Sequence, residues 1–158
     1  MTTTSTTGRQ RTAPRLVALV MRGVVVVMLA IDAVAHLRLA PGYQQSAPGG
    51  IGAGNLFRIE AAAALVVAAW VLWRGSRPAL LAALGVGLSA VIAVVLYRYV
   101  DLPALGPLPA MYEPVWFFEK SLSAVAEALA AMAALVALTA APGRRPTSPQ
   151  GASGQDRR

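Results

Sequence analysis

Long, nearly uninterrupted apolar blocks dominate the pattern of hydrophobic and polar positions along this chain. Each of four blocks is long enough, at 1.5 Å per residue, for a helix to cross a hydrocarbon core of roughly 30 Å. They cover Leu16–Leu39, Leu56–Trp73, Pro78–Val100 and Pro114–Ala141. We therefore predict an all-α protein whose residues 16–141 form a four-helix transmembrane bundle.

The segments between and beyond the blocks set its topology. Residues 74–77 are so short a connection that the second and third helices must form an antiparallel hairpin. Residues 1–15 and 142–158 are polar, and we predict that both are disordered cytoplasmic tails. The first block is longer than a signal peptide core and carries charges in its second half, so we expect it to be retained.

Basic residues cluster in the tails and in the 74–77 turn, although the chain as a whole is 56% hydrophobic and has a net charge of +7. Lys and Arg beside membrane spans mark the cytoplasmic side. We read the charge as a topology signal and not as a nucleic-acid footprint. It predicts a multi-pass protein of the plasma membrane with both termini in the cytoplasm (N-in/C-in).

The absence of cysteine and the single histidine limit the chemistry that one chain can perform. Disulfides, thiol redox reactions, cysteine-ligated zinc and iron–sulfur clusters all need cysteine. A haem held by two histidines needs a second imidazole. A thiol mechanism would require a partner protein.

Ionisable residues inside the spans are the candidate functional residues, because an acid within a membrane costs about 2.5–3.5 kcal/mol and needs a partner. We expect them to face the bundle interior, with Lys120 or Arg98 pairing with Glu119 or Glu127. His36 and Glu60 should border one cavity. The candidates are Asp32, His36, Arg38, Glu60, Arg98, Glu119, Lys120 and Glu127.

Three roles fit this cluster: a structural ion-pair network, a binding site, or an acid–base site. Asp32 and His36 are four residues apart and share a helix face. His36 could therefore act as an acid or base, or contact a quinone. One imidazole without an HxxxH or ExxH spacing argues against a metal.

The loop Asp101–Pro114 is unusually apolar for a segment exposed to water. Its prolines favour an extended course. We expect it to lie back on the outer mouth of the bundle, either as a lid or as plain packing at the lipid interface.

Several positions together resemble a known family. Arg22 early in the first helix, His36 near its outer end, a Gly/Pro loop and Glu60 opening the second helix resemble the DoxX-like four-helix membrane proteins of bacteria. The segments Leu96–Asp101, Met111–Pro114 and Phe118–Lys120 resemble uncharacterised actinobacterial membrane proteins. The DoxX resemblance implies a small membrane subunit beside a quinone- or sulfur-linked oxidoreductase.

Two function classes follow. The first is a non-catalytic membrane subunit or binding module, whose polar pocket in the outer half takes a lipid, a quinone or a partner protein. The alternative is a small intramembrane enzyme that uses an Asp/His/Glu acid–base cluster. The expected partners are the lipid bilayer and either a membrane oxidoreductase or further copies of the chain.

Overall fold

The computed structural model describes residues 12–140 as four α-helices. They are α1 Thr12–Ser46, α2 Ala53–Arg74, α3 Arg77–Tyr99 and α4 Phe118–Ala140. All four are long and apolar enough to cross a membrane, so the predicted four-helix transmembrane architecture is confirmed. The predicted tails, 1–15 and 142–158, lie outside the described residues except for the first turn of α1. The cytoplasmic position of the termini stays a prediction.

Helix α1 is longer than predicted, since it continues through Pro41 to Ser46 instead of ending at Leu39. Pro41 lacks an N–H and removes one intrahelical hydrogen bond, a cost that a helix bears more easily near its end. At 1.5 Å per residue, the 35 residues of α1 span about 52 Å. The last turns of α1 therefore reach beyond the membrane-crossing length and pack against the start of α2.

Helix α4 begins at Phe118, so the prediction that it starts at Pro114 is wrong. The backbone N–H of Glu113 donates to the carbonyl of Tyr97 on α3, 3.1 Å away. The Lys120 ammonium donates to the carbonyl of Glu113 at 2.7 Å. These bonds hold the chain before α4 across the end of the bundle, so that residues 100–117 form a loop.

A two-residue connection joins α2 to α3 at the end of the bundle that we call the turn end. Gly75 adopts the left-handed conformation there, with φ 49°, and caps α2. Its missing side chain leaves room for the guanidinium of Arg22 on α1. Arg22 donates to the carbonyl of Val71 at 3.3 Å, which ties α1 to the hairpin.

The helices form a four-sided bundle in which α1 packs on α2 and α4, while α3 packs on α4 and α2. Most residues of the buried core are alanines, which allow the close helix contacts that packing in lipid requires. The α2–α3 pair makes the least contact of the four. Its two helices are joined at the turn end, and residues 47–52 and 100–117 lie at the opposite end of the bundle, the loop end.

Candidate functional site

Two polar pairs face each other across the interface between α1 and α4. Asp32 and His36 lie one turn apart on α1, and Ser123 and Glu127 lie one turn apart on α4. Residues four apart share a helix face, so each helix presents both of its polar side chains to the other. Asp32 is 1% exposed and Glu127 is 2% exposed. The prediction that Glu127 faces the bundle interior is confirmed.

Gly87 of α3 makes room for this part of α4. A side chain at Gly87 would press on the backbone carbonyl of Glu127 at 2.8 Å. The glycine therefore lets α3 approach the backbone of α4 closely at Glu127.

The hydroxyl of Ser123 lies between the two carboxylates. It is 2.7 Å from Oδ1 of Asp32 and 2.8 Å from Oε1 of Glu127. One hydroxyl has one hydrogen, so it can donate to only one of the two oxygens. Oδ2 of Asp32 and Oε2 of Glu127 are buried and have no hydrogen-bond partner among residues 12–140. The group thus holds more acceptors than donors.

The imidazole of His36 is held by Asp32. Nδ1 lies 2.9 Å from Oδ1 of Asp32 and 3.1 Å from its backbone carbonyl. The edge-on ring of Phe57, 5.1 Å away between centroids, packs against the imidazole. When Nδ1 donates its hydrogen to Asp32, Nε2 is left as the free ring nitrogen, 3.9 Å from Oε1 of Glu127.

These side chains converge closely enough to share one ligand. One ligand atom from each of Asp32, His36 and Glu127 lies within 4.8 Å of the other two. We call Asp32, His36, Ser123 and Glu127 the Asp–His–Ser–Glu group. It contains a nitrogen donor, two carboxylates and a hydroxyl, all held by two neighbouring helices.

A cavity of about 370 Å³ opens beside this group at the loop end of the bundle. All four helices and the 100–117 loop contribute to its wall, which is mainly apolar. Its apolar lining residues include Leu39, Leu56, Phe57, Ile59, Ala90, Ala93, Val94, Leu108 and Met111. Its polar lining residues are His36, Tyr43, Glu60, Ser89, Tyr97, Glu113, Lys120, Ser123 and Glu127.

The loop 100–117 covers the cavity and is tethered at several points. The hydroxyl of Tyr43 donates to the carboxylate of Glu113 at 2.6 Å. The backbone N–H of Ile51 donates to the carbonyl of Pro107 at 2.9 Å, which joins the two loops. The expectation that this apolar loop lies on the bundle mouth is confirmed, since Leu108 and Met111 line the cavity. Movement of the loop as a lid stays a prediction.

The predicted site residues divide into two sets. His36, Glu60, Lys120 and Glu127 line the cavity, and Asp32 lies buried behind His36. His36 and Glu60 thus border one cavity as expected. The other three, Arg38, Arg98 and Glu119, do not line the cavity. Arg38 is exposed and Glu119 is half-buried. The guanidinium of Arg98 lies 4.9 Å from the centre of the Tyr99 ring.

The prediction that Lys120 or Arg98 forms an ion pair with Glu119 or Glu127 of α4 is wrong. Within residues 12–140, the acidic and basic side chains within 4.0 Å of each other are His36 with Asp32 and His36 with Glu127, and neither Lys120 nor Arg98 pairs with an acid. Lys120 precedes Glu127 by seven residues, which is about 10 Å along the helix axis. Its ammonium turns away to the carbonyl of Glu113.

Three residues of the site were not among the predicted candidates: Ser123, Tyr43 and Glu113. Ser123 could have been identified from the sequence, because it lies four residues before Glu127 and shares its helix face. Tyr43 was assigned to a loop on account of Pro41, and Glu113 to a loop whose path the sequence does not define. Their hydrogen bond joins positions 70 residues apart.

Comparison with protein-family models, with curated proteins and with solved structures finds no match to this chain. The function of the site is therefore inferred from its own geometry. Two features carry that inference: the apolar cavity at the loop end and the Asp–His–Ser–Glu group beside it.

Proposed function

We propose that this membrane protein binds a lipid-soluble amphiphile in the loop-end cavity. The apolar part of the ligand packs on the cavity wall, and its polar head meets His36, Ser123 and Glu127. The observation that carries the proposal is a cavity of about 370 Å³ with mainly apolar walls, which His36, Ser123 and Glu127 also line. Small-molecule sites have this composition and a volume of roughly 300–1,000 Å³.

Entry from the lipid, between α2 and α3, is supported by the shape of the bundle. These two helices make the least contact of any neighbouring pair. Ile59 of α2 lines the cavity and is also 60% exposed on the outer surface of the bundle. On the other side, the tethered 100–117 loop covers the cavity. We therefore expect the ligand to enter from the bilayer.

Hydrogen-bond donors and acceptors both face the cavity. The Lys120 ammonium has three hydrogens and gives one to Glu113, so it retains donors for a ligand. Glu60 has a buried carboxylate oxygen without a hydrogen-bond partner among the described residues. A head group with carbonyl or hydroxyl oxygens could engage both kinds of residue.

A quinone is the ligand that we propose first within this class. Its ring is apolar and flat, and its two carbonyls accept hydrogen bonds. The resemblance to DoxX-like proteins points to the same ligand and to a membrane oxidoreductase as partner. Because the chain has no cysteine and one histidine, the partner would carry the electrons and this chain would hold the ligand.

The test is to fill the cavity and measure what copurifies. Ala90 is buried on α3 and lines the cavity, so Ala90→Leu should occupy ligand volume. Gly85→Leu is the matched control, because Gly85 lies on the same helix with nothing within 4 Å of its side-chain position. Both proteins are purified in detergent, extracted with solvent and analysed by mass spectrometry for lipids and quinones.

We expect the wild type and Gly85→Leu to retain the same amphiphile in near-equal amounts with protein. Ala90→Leu should retain about tenfold less, equivalent to a loss of about 1.4 kcal/mol in affinity. Equal retention by Ala90→Leu, with unchanged elution from gel filtration, would show that the copurified molecule is bulk lipid and would refute the proposal.

A further inference from the structure

The Asp–His–Ser–Glu group places two carboxylates side by side in a membrane-spanning bundle, with His36 as the basic residue nearest to them in the described part of the chain. Asp32 and Glu127 belong to different helices, and both are more than nine-tenths buried. Within residues 12–140, neither lies within 4.0 Å of a lysine or arginine. Two such acids are costly in a low-dielectric interior unless a positive charge is shared between them.

The hydrogen bonds inside the group leave both carboxylates short of donors. The single hydrogen of Ser123 serves one of two carboxylates that both lie within 2.8 Å. The second oxygen of each carboxylate is buried and has no partner in the described part of the chain. Unpaired buried oxygens of this kind are rare in folded proteins, and a bound ion is one arrangement that satisfies them.

We propose that Asp32, His36 and Glu127 bind one divalent transition metal ion of the Zn²⁺ type. Two carboxylates neutralise a divalent cation completely. One imidazole nitrogen and two carboxylate oxygens are ligands that zinc accepts, whereas an imidazole disfavours magnesium and calcium. The three ligands come from α1 and α4, and two of them, His36 and Glu127, also line the cavity in which the proposed amphiphile binds.

The geometry is close to that of a bound site. Ligand atoms around a tetrahedral ion at about 2.1 Å lie roughly 3.4 Å apart, so ligand atoms that now lie within 4.8 Å of one another must close by up to about 1.4 Å. His36 is already oriented, because Nδ1 can donate to the Asp32 carbonyl at 3.1 Å while Nε2 stays free for the ion. Ser123, in contact with both carboxylates, positions them.

One coordination position faces the cavity, because His36, Ser123 and Glu127 all line it while Asp32 lies behind. Zinc sites with three protein ligands keep their fourth position for water or another small ligand. The sequence argued against a metal, because it contains one histidine and no HxxxH or ExxH spacing within a helix. The ligands come instead from two helices, which only the packing of α1 against α4 brings together.

The experiment uses the full chain, purified in detergent with a histidine-free affinity tag and stripped with a chelator. Zn²⁺ is added, and free metal is removed by gel filtration. The zinc bound per chain is then measured by inductively coupled plasma mass spectrometry. The variants are Asp32→Asn and Glu127→Gln. The matched control is Glu60→Gln, which changes a carboxylate of the same cavity outside the three ligands.

We expect about one zinc per chain in the wild type and in Glu60→Gln, and loss of bound zinc in Asp32→Asn and Glu127→Gln. Zinc should also raise the unfolding temperature of the wild type but not of Glu127→Gln. Zinc uptake by Glu127→Gln equal to that of the wild type would overturn the proposal. So would a wild type that retains no zinc.

A second variant decides the question if the carboxylate variants do not fold. His36→Cys introduces the only cysteine of the chain and offers a thiolate to the same ion. With Co²⁺ in place of zinc, a cysteine ligand produces a thiolate-to-cobalt charge-transfer band in the near ultraviolet. We expect this band in His36→Cys and not in Ser89→Cys. Its absence from folded His36→Cys would refute the site.

Discussion

The hydroxyl of Ser123 on α4 lies 2.7 Å from the carboxylate of Asp32 on α1, although the two residues are 91 positions apart in the chain. This contact joins two helices that are not consecutive. It also completes the Asp–His–Ser–Glu group, because the same hydroxyl reaches Glu127 at 2.8 Å. Side-chain hydrogen bonds between helices add to close packing in lipid. The residues of the candidate site are thus also residues of the α1–α4 interface.

Replacing Ser123 with alanine should destabilise the bundle by about 1–3 kcal/mol, because both carboxylates lose the hydroxyl that lies between them. The measurement is thermal unfolding in detergent. Ser89→Ala is the matched control, since Ser89 is exposed and its hydroxyl bonds only to the carbonyl of Val86 on its own helix. Equal stability of the Ser123 and Ser89 variants would show that the Ser123 contacts contribute nothing.

Much of the fold could be predicted from the sequence, because membrane helices are defined by the length of their apolar blocks. The shared face of Asp32 and His36 also follows from their spacing. The start of α4 could not be predicted in this way. Pro114 suits a helix start by itself, but the bond from Glu113 to Tyr97 on α3 holds this segment in an extended course.

The partners of the buried charges were the least predictable feature. Sequence spacing along α4 suggested that Lys120 forms an ion pair with Glu127. In the structure, the Lys120 ammonium donates a hydrogen bond to the carbonyl of Glu113 instead. The true neighbours of Glu127, namely Ser123 and His36, depend on the rotation of α4 relative to α1. That rotation is set by which alanines pack in the core, and an alanine-rich helix offers several nearly equivalent faces.

Gly75→Ala should lower stability by more than about 1 kcal/mol, as a left-handed conformation costs that much in a residue with a side chain. The new methyl group would also meet the guanidinium of Arg22. Gly85→Ala is the opposite case, because its position is helical and open, and it should be neutral or stabilising by roughly 0.5–1 kcal/mol. The unfolding temperatures of the two variants, measured in the same detergent, test whether Gly75→Ala lowers stability and Gly85→Ala does not. A stable Gly75→Ala would contradict the described turn.

Tyr43→Phe should loosen the loop 100–117, because it removes the bond between the Tyr43 hydroxyl and the Glu113 carboxylate. Faster hydrogen exchange in peptides from this loop, with unchanged exchange in α2 and α3, is the expected result. Tyr112→Phe provides the comparison, since Tyr112 is an exposed residue of the same loop. If both variants exchange alike, the Tyr43 bond does not hold the loop in place.

The basic residues of the tails and the 74–77 turn predict that the loop end faces away from the cytoplasm. Single cysteines can test this, since the chain has none of its own. A thiol reagent that does not cross membranes should label Ser46→Cys in intact cells, and Ser76→Cys only after lysis. The reverse pattern would invert the proposed orientation and place the cavity on the cytoplasmic side.

The proposed function requires that the loop-end cavity is occupied, and native mass spectrometry of the intact chain measures this occupancy. Released from detergent, wild-type protein should carry one bound organic molecule whose fragments identify an amphiphile. The Ala90→Leu protein should be mostly free of that molecule, while Gly85→Leu should carry it as the wild type does. A wild-type chain that appears without any bound molecule, or an Ala90→Leu chain that carries as much, would contradict the claim.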